Sequence, residues 1–318
     1  MKSKISIWFF LANLVPAFAA FSQNYSQVDE YVKSLGAMSD KNVATIAREI
    51  TISFTDKKDK ARAIYYWISN NVALDPKAIK SNDQRNNDPV KVIELRKATA
   101  LGFSLLLQEM CSQADIRCLS VDGYSKFFPE EINDPSDEIN HSWNVVQLGQ
   151  SPEEWYYVDA AKGSGFLDKK QASFTKKFTS EYFFADRILF NLDHYPDNSA
   201  WQLGTGPKSL KDFYALPVIA AAAYELGLQK PQPPGGLIKT KTKGSVSFSF
   251  PFTGTKNISA IELIIGDEKK QPKPVPMNFS TSGGIISFTY QFKTEDEFPL
   301  KITADGRELL AYKMEVSE

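Results

Sequence analysis

The stretch from Arg96 to Cys111, Arg-Lys-Ala-Thr-Ala-Leu-Gly-Phe-Ser-Leu-Leu-Leu-Gln-Glu-Met-Cys, decides the fold of this 318-residue chain. From Thr99 onward its apolar residues recur at helical spacing, as Phe103, Leu106, Leu107 and Met110. This pattern predicts a buried helix that begins near Thr99. What such a helix can do chemically depends on its first turn, where Ala100 stands.

Strands are predicted after this helix, because the hydrophobic period changes there from about 3.6 to about 2 residues. The strands are predicted at 117–125, 141–148 and 154–158, and the last of them leads to Asp159. Helices are predicted upstream at 25–35, at 43–50 and after Thr55. One long helix followed by antiparallel strands indicates an α+β domain.

Motifs in this region resemble those of the transglutaminase-like, papain-related family of thiol enzymes. The segment 96–104 resembles the family pattern Arg-Lys-Gly-Val-Cys-x-Gly-Tyr-Ala, with Ala100 in place of the cysteine. His141-Ser-Trp-Asn144 resembles the His-Ala-Trp-Asn strand that supplies the catalytic histidine. Residues 155–166 resemble Trp-Tyr-x-Val-Asp-Ala-Thr-Trp-Gly-x-Gly-Tyr, and residues 194–203 resemble the kyphoscoliosis-peptidase branch. The order of these motifs over about 110 residues argues against chance agreement.

The resemblance implies a transglutaminase-like core of helices plus antiparallel sheet at 23–230, with a catalytic triad. A cysteine at a helix N-terminus would have its pKa lowered by unpaired backbone N–H groups and the helix dipole. A histidine and a carboxylate would complete the triad, and His141 and Asp159 match these two positions. Ala100 matches the nucleophile position, and its methyl group cannot attack a carbonyl. The resemblance further implies a cleft lined by Thr99, Leu101, Trp143 and Asn144.

No other residue offers itself as a replacement nucleophile. Cys111 would lie about 16 Å further along the helix axis, and Cys118 belongs to the next strand. Thr99 points roughly 100° away around the helix, and Ser104 lies one turn deeper. The sequence therefore favours a catalytically inactive member of the family.

The chain contains two histidines, and each has an alternative role. His141 could be a structural histidine that pairs with Asp159 to satisfy two buried polar groups. His194 is expected to be an exposed turn residue. Because two cysteines and two histidines at scattered positions supply no ligand cluster, we expect no metal site and no cofactor.

The N-terminus has the layout of a secretory signal peptide at 1–22. Lys2 and Lys4 precede an apolar run from Ile5 to Val15, and small residues follow. Cleavage after Ala19 or after Ser22 fits this layout, and the run is shorter than the ~20 residues of a spanning helix. We expect a protein exported to the periplasm or the extracellular space, not inserted in the membrane after cleavage.

Charge and cysteine content exclude one class of partner and leave one question open. The full chain has 37 basic and 38 acidic residues. Removal of the signal peptide takes away Lys2 and Lys4, so the net charge of the remaining chain is about −3. This balance does not support nucleic-acid binding. Cys111 and Cys118 could form a disulfide in an exported protein or remain two buried thiols.

A small β-sandwich is predicted at 237–318, after a Pro- and Gly-rich linker at 231–236. Beyond the linker the chain alternates strictly, and Asp305-Gly306 between two alternating runs predicts a two-residue hairpin turn. Few contacts are expected to cross the linker.

The leading hypothesis is a secreted, catalytically inactive transglutaminase-like protein. It would bind a peptide or an envelope or surface protein through the former active-site cleft, since binding and bond-making use different residues. One alternative is a cysteine-protease or transglutaminase-type enzyme with an unrecognised nucleophile. Another is a structural subunit of an envelope assembly. The sequence does not indicate the oligomeric state.

Overall fold

A computed structural model describes residues 24–254, 257–266 and 271–318. The predicted signal peptide at 1–22 lies outside this part of the chain. Within it, no helix is long and apolar enough to cross a membrane.

The N-terminal third is mainly helical, as the apolar periodicity predicts. Asn42 and Asp56 begin the second and third helices by accepting hydrogen bonds from backbone N–H groups of the first turn. The elements are α1 (Ser26–Leu35), α2 (Val43–Thr51), α3 (Lys57–Asn71), β1 (Ala73–Leu74), α4 (Pro76–Lys80), α5 (Pro89–Leu95), β2 (Lys97–Ala98) and α6 (Ala100–Gln113). The helix predicted from Thr99 is therefore α6, and Ala100 is its first residue.

A four-stranded antiparallel sheet follows α6. The elements here are β3 (Arg117–Ser125), β4 (His141–Gln147), β5 (Trp155–Val158), α7 (Ala160–Ser164), β6 (Gly165–Leu167), β7 (Phe174–Lys176), α8 (Arg187–Asp193) and β8 (His194–Pro196). The strand order is β5-β4-β3-β8. Helices on a mostly antiparallel sheet confirm the predicted α+β class.

The two faces of this sheet contact different helices. Asn144 points to α6, where its Nδ2 donates to the carbonyl oxygen of Ser104 at 3.0 Å. Trp143, the neighbouring residue of β4, points to the other face, where its ring meets Phe190 of α8 at 5.9 Å between centroids. Because side chains alternate along a strand, His141 lies on the face of Trp143.

The C-terminal strands form two further sheets, as the alternating pattern predicts. The elements are α9 (Leu210–Tyr214), β9 (Val218–Ile219), α10 (Ala221–Leu226), β10 (Leu237–Lys241), β11 (Ser245–Pro251), β12 (Ile261–Ile265), β13 (Val275–Met277), β14 (Ser280–Ser282), β15 (Ile285–Gln291), β16 (Asp296–Ala304) and β17 (Arg307–Ser317). One sheet has the order β10-β17-β16-β12-β13 with β9 added to β17, and the other has the order β11-β15-β14. Asp305 and Gly306 form the turn between β16 and β17.

The segment 231–236 is not a free linker, which corrects the expectation from its composition. The backbone of Gln232 pairs with that of Ser249 in both directions, at 2.7 and 3.0 Å. The N–H of Lys313 donates to the carbonyl oxygen of Gly236 at 2.9 Å, and the hydroxyl of Tyr312 donates to that of Pro233 at 3.2 Å. Prolines and glycines permit an irregular path, but these hydrogen bonds fix it.

One apolar cluster spans the predicted domain boundary. It joins Trp143 and Val145 of the four-stranded sheet to Leu228, and also contains Phe248 and Tyr312 of the C-terminal sheets. Contacts across residues 231–236 are therefore extensive, contrary to the expectation of few.

Candidate active site

The first turn of α6 is closely packed against the segment before α5. Thr99 precedes the helix in an extended conformation, and its side chain does not cap the helix. Instead its hydroxyl donates to Oδ1 of Asn87 at 3.0 Å. A Cβ at Gly102 would lie 2.6 Å from that same oxygen and 2.6 Å from Cβ of Ala98, so only glycine allows this approach.

The N-terminus of α6 lies at the end of the sheet where β4 begins. α6 ends at Gln113 and β3 begins at Arg117, so the helix packs along β3 in the opposite direction. β3 pairs Gly123, near its end, with His141. α7, which starts directly after Asp159, packs against α6 and β1. The chain thus brings the start of α6, the start of β4 and the end of β5 to one end of the sheet.

His141 and Asp159 form a short, buried hydrogen bond. Nε2 of His141 lies 2.6 Å from Oδ2 of Asp159. Only 5% of His141 and none of Asp159 is exposed. The other carboxylate oxygen, Oδ1, accepts the backbone N–H of Lys162 at 2.9 Å, so Asp159 also caps α7. The structure brings together the two residues that the family resemblance matches to the histidine and the carboxylate of the triad.

A second histidine reaches the same carboxylate oxygen, and sequence reasoning missed it. Nε2 of His194 lies 3.0 Å from Oδ2 of Asp159. His194 is fully buried, so the expectation of an exposed turn residue is wrong. The end of β3 pairs with β4 on one side and with β8 on the other. Only this non-local pairing places His194 near His141. A Cβ at Gly123 would collide with the carbonyl of Tyr195, so glycine permits the pairing.

The surroundings of Asp159 and His194 shift the pKa values of both side chains. Burial alone would raise the pKa of the Asp159 carboxyl, but the imidazoles of His141 and His194 hold it well below its usual range. Burial and the nearby Lys162 ammonium lower the pKa of His194 to about 4. Asp159 is therefore an anion and His194 is neutral near pH 7.

Asp193 lies on the side of His194 that faces away from Asp159. Its Oδ1 lies 2.7 Å from Nζ of Lys162, and its Oδ2 accepts the hydroxyl of Tyr224 at 3.2 Å. Oδ2 also lies 3.6 Å from Nδ1 of His194, beyond hydrogen-bond distance. That nitrogen is buried and has no hydrogen-bond partner among the described residues.

Lys126 is a further buried cation near this cluster. Its Nζ donates to the carbonyl oxygen of Phe213 at 2.8 Å and lies 3.5 Å from the centre of the Phe213 ring. Burial lowers its pKa to about 7. Nothing in the sequence pattern distinguishes this lysine from an exposed one.

Phe127 covers the outer side of His141. Their rings lie 5.7 Å apart, edge to face, and 40% of Phe127 is exposed. Lys162 Nζ lies 5.1 Å from the same ring. Phe127 begins the loop at 127–140, so the start of this loop lies over His141, and the imidazole is almost closed off from solvent.

The residues predicted to line a cleft lie in different places. Trp143 and Asn144 are each 1% exposed, so the expectation that they line an open cleft is wrong. The ring of Trp143 packs against the rings of His141 and His194 on the same face of the sheet. Thr99 is buried against Asn87, and half-buried Leu101 lies in a shallow surface groove beside Pro89 and Leu105.

The alternative nucleophiles are engaged elsewhere. The hydroxyl of Ser104 lies 3.0 Å from the carbonyl oxygen of Trp143 and 2.5 Å from Oγ of Ser120. Cys111 and Cys118 are neighbouring buried thiols without a disulfide in this structure. Burial, together with the neighbouring Cys111, raises the pKa of the Cys118 thiol. These side chains lie on the α6 face of the sheet, whereas His141 lies on the other face.

The two histidines are not scattered in space, which corrects the reason for expecting no metal site. His141, Asp159 and His194 offer three ligand atoms within 4.8 Å of one another, all on buried residues. In the described part of the chain this is the group that could hold a metal ion.

Comparison with known proteins adds sequence relationships to this geometry. Residues 44–160 match the sequence model of the transglutaminase-like superfamily. Human kyphoscoliosis peptidase is 31% identical over 221 residues, which are 69% of this chain and 32% of the human protein. Hillarin from Drosophila melanogaster is 24% identical over 220 residues, which are 64% of this chain and 26% of hillarin. A crystal structure of a TGase aligns over 53% of this chain and 38% of that chain, at 16% identity and a TM-score of 0.31. The chain thus spans about a third of the human relative.

Proposed function

The chain carries a transglutaminase-like domain of the kyphoscoliosis-peptidase branch, and we propose from this premise that it is a catalytically inactive member that acts by binding a protein ligand. Two relatives are named kyphoscoliosis peptidase, so the proposed inactivity is argued from this chain's own residues. It rests on position 100.

The observation that carries the proposal is the buried His141–Asp159 pair in a chain that has alanine at the start of α6. His141 and Asp159 are paired at 2.6 Å, as a base and its orienting carboxylate would be. The residue that begins α6 is Ala100, whose methyl group can form no bond to an acyl carbon. Thr99 and Ser104 have their hydroxyls engaged with Asn87 and Trp143, and neither is available to His141.

The ligand would be an extended segment of another protein, bound at the end of the sheet around His141. Two apolar side chains are exposed there: Phe127 at 40% and Ile139 at 50%. Both belong to the loop that covers His141. Exposed apolar side chains next to a nearly closed polar site support binding at the loop surface rather than in a deep cleft.

Export is part of the proposal, supported by the N-terminal sequence. Lys2 and Lys4 followed by the apolar run from Ile5 form the layout of a cleavable signal. A mature chain that begins at Ala20 or Gln23, seen in the intact mass of exported protein, is the expected result. A stable membrane-embedded form that starts at Met1 would contradict it.

A structural role is the second candidate, and the closure of the site favours it. His141 is 5% exposed and Asp159 is fully buried, so the pair stabilises the fold even if no ligand reaches it. In that case partners would use the edges of the C-terminal sheets.

The test is an assay of the purified chain for peptide hydrolysis and for amine incorporation into glutamine peptides. We expect neither activity. Activity that survives replacement of both Cys111 and Cys118 by serine, and is lost with Thr99→Val or Ser104→Ala, would establish the enzyme alternative. Cross-linking from a photoreactive group at position 139 would then separate ligand binding from the structural role, because only a ligand-binding protein should capture a partner there and lose it with Phe127→Asp.

A further inference from the structure

Three metal-ligating atoms converge beneath Phe127. Nε2 of His141, Nε2 of His194 and Oδ2 of Asp159 all lie within 4.8 Å of one another. They come from β4, from β8 and from the residue after β5, so the sheet itself fixes their relative positions. Three ligands from rigid elements are the number that zinc sites with an open fourth position use.

One nitrogen of His194 has no hydrogen-bond partner among the described residues. A neutral imidazole carries one N–H, on one of its two nitrogens. His194 faces a carboxylate with each nitrogen: Oδ2 of Asp159 is 3.0 Å from Nε2, and Oδ2 of Asp193 is 3.6 Å from Nδ1. One proton can serve only one of them, and Nδ1 is buried without a hydrogen-bond partner among the described residues.

We propose that His141, His194 and Asp159 bind a divalent transition-metal ion of the zinc class. With the ion on Nε2 of His194, the proton of that ring lies on Nδ1 and points to Asp193. A ligating histidine that donates its other N–H to a carboxylate is the usual outer shell of a zinc site. The ion therefore accounts for the position of Asp193 as well as for the three ligands.

The ligand atoms, which lie within 4.8 Å of one another, must rearrange to hold an ion. Zinc–nitrogen and zinc–oxygen bonds of about 2.0–2.2 Å place the ligand atoms of a tetrahedral site roughly 3.3 Å apart. Oδ2 of Asp159 now lies 2.6 Å from one imidazole and 3.0 Å from the other, so it must withdraw by several tenths of an ångström. Its partner Oδ1 can stay on the N–H of Lys162 while the carboxylate rotates.

The local charge and residue 100 are compatible with such an ion. Lys162 neutralises Asp193 at 2.7 Å, which leaves the Asp159 carboxylate with the imidazoles as its side-chain partners. Two nitrogens, one oxygen and no thiolate suit zinc, cobalt or nickel rather than calcium. With alanine at position 100 no thiolate competes for His141.

The test uses the full chain with Cys111→Ser and Cys118→Ser, so that thiolates contribute nothing. The metal-free protein is titrated with Zn²⁺ by calorimetry and with Co²⁺ by visible absorption. We expect one ion per chain, at least a 100-fold weaker affinity in His194→Gln, and a loss of about 10- to 100-fold in Asp193→Asn. Asp168→Asn, which changes an exposed carboxylate on the β6–β7 hairpin, is the matched control and should bind as the parent does.

A second measurement keeps the test independent of how the variants fold. The chain has only two histidines, so its imidazole ¹⁵N spectrum contains the signals of two rings. Zn²⁺ should shift both and move the His194 proton to Nδ1. Rings unaffected by saturating Zn²⁺, or an affinity unchanged in folded His194→Gln, would overturn the metal site. Either result leaves the proposed loss of catalysis untouched, since that rests on Ala100.

Discussion

Nε2 of His194 lies 3.0 Å from Oδ2 of Asp159, although 35 residues separate them in the chain. Both side chains are fully buried. This contact ties the end of β5 to the start of β8 across the sheet and fixes the carboxylate that orients His141. Asp159 is thus held by two histidines from different strands.

Lys126 should give the protein a distinctive dependence of stability on alkaline pH. Its pKa is about 7 in the folded protein against an ordinary lysine value of 10.5, so between these values the unfolded chain binds the extra proton. Stability from this group therefore rises as pH rises from 7 to 10, by about 4 kcal/mol. Lys126→Met should remove that rise, as measured by urea unfolding at both pH values. Lys170→Met, at an exposed lysine, is the control and should keep that rise. An equal pH dependence of the unfolding free energy in Lys126→Met and in the parent would show that Lys126 is not buried as described.

The regions before and after residues 231–236 should unfold together. The apolar cluster that joins Leu228 to Phe248 and Tyr312 crosses this segment, so a chain truncated after Lys230 exposes part of its core. We expect one calorimetric transition for the full chain and a truncated chain that binds hydrophobic dyes and lacks near-ultraviolet circular dichroism. A version that lacks only residues 1–23 serves as the control and should fold normally. A truncated chain with a sharp native-like melt would instead support two independent domains.

Ser104 should contribute to stability rather than to catalysis. Its hydroxyl lies within hydrogen-bond distance of the Trp143 carbonyl and of Ser120, and Ser104→Ala leaves both without this partner in a buried place. The expected loss is about 1–3 kcal/mol in the free energy of unfolding. Ser112→Ala, at an exposed position of the same helix, should cost far less. Equal effects of the two substitutions would mean that the Ser104 contacts do not form.

The local elements could be predicted from the sequence because local periodicity determines them. The helix predicted from Thr99 is α6, the strand predicted at 117–125 is β3, and the alternating run that contains Phe248 is β11, paired with β15 in register. His141 and Asp159 were found through motifs that lie on single strands. In each case the signal lies within a few consecutive residues.

The rest could not be predicted because it depends on pairing between distant segments. His194 follows a short helix in a polar stretch, and only the pairing of β8 with β3 buries it. Gln232 lies in a Pro- and Gly-rich stretch, and only its pairing with Ser249 shows that the stretch is held in place. The burial of Lys126 likewise depends on Phe213, which lies far away in the sequence.

The central claim is that Ala100 occupies the position of a lost nucleophile beside His141. Its most direct test is Ala100→Cys in a chain that also carries Cys111→Ser and Cys118→Ser. A thiol at this helix start and near an imidazole should have a pKa well below the free value of about 8.5, so its alkylation should stay fast near pH 6. His141→Gln should slow that reaction. Leu101→Cys in the same background is the matched control: it shares the helix start but points about 100° away, so it should not respond to His141→Gln. A thiol at position 100 that titrates like an exposed free cysteine, indifferent to His141, would contradict the account.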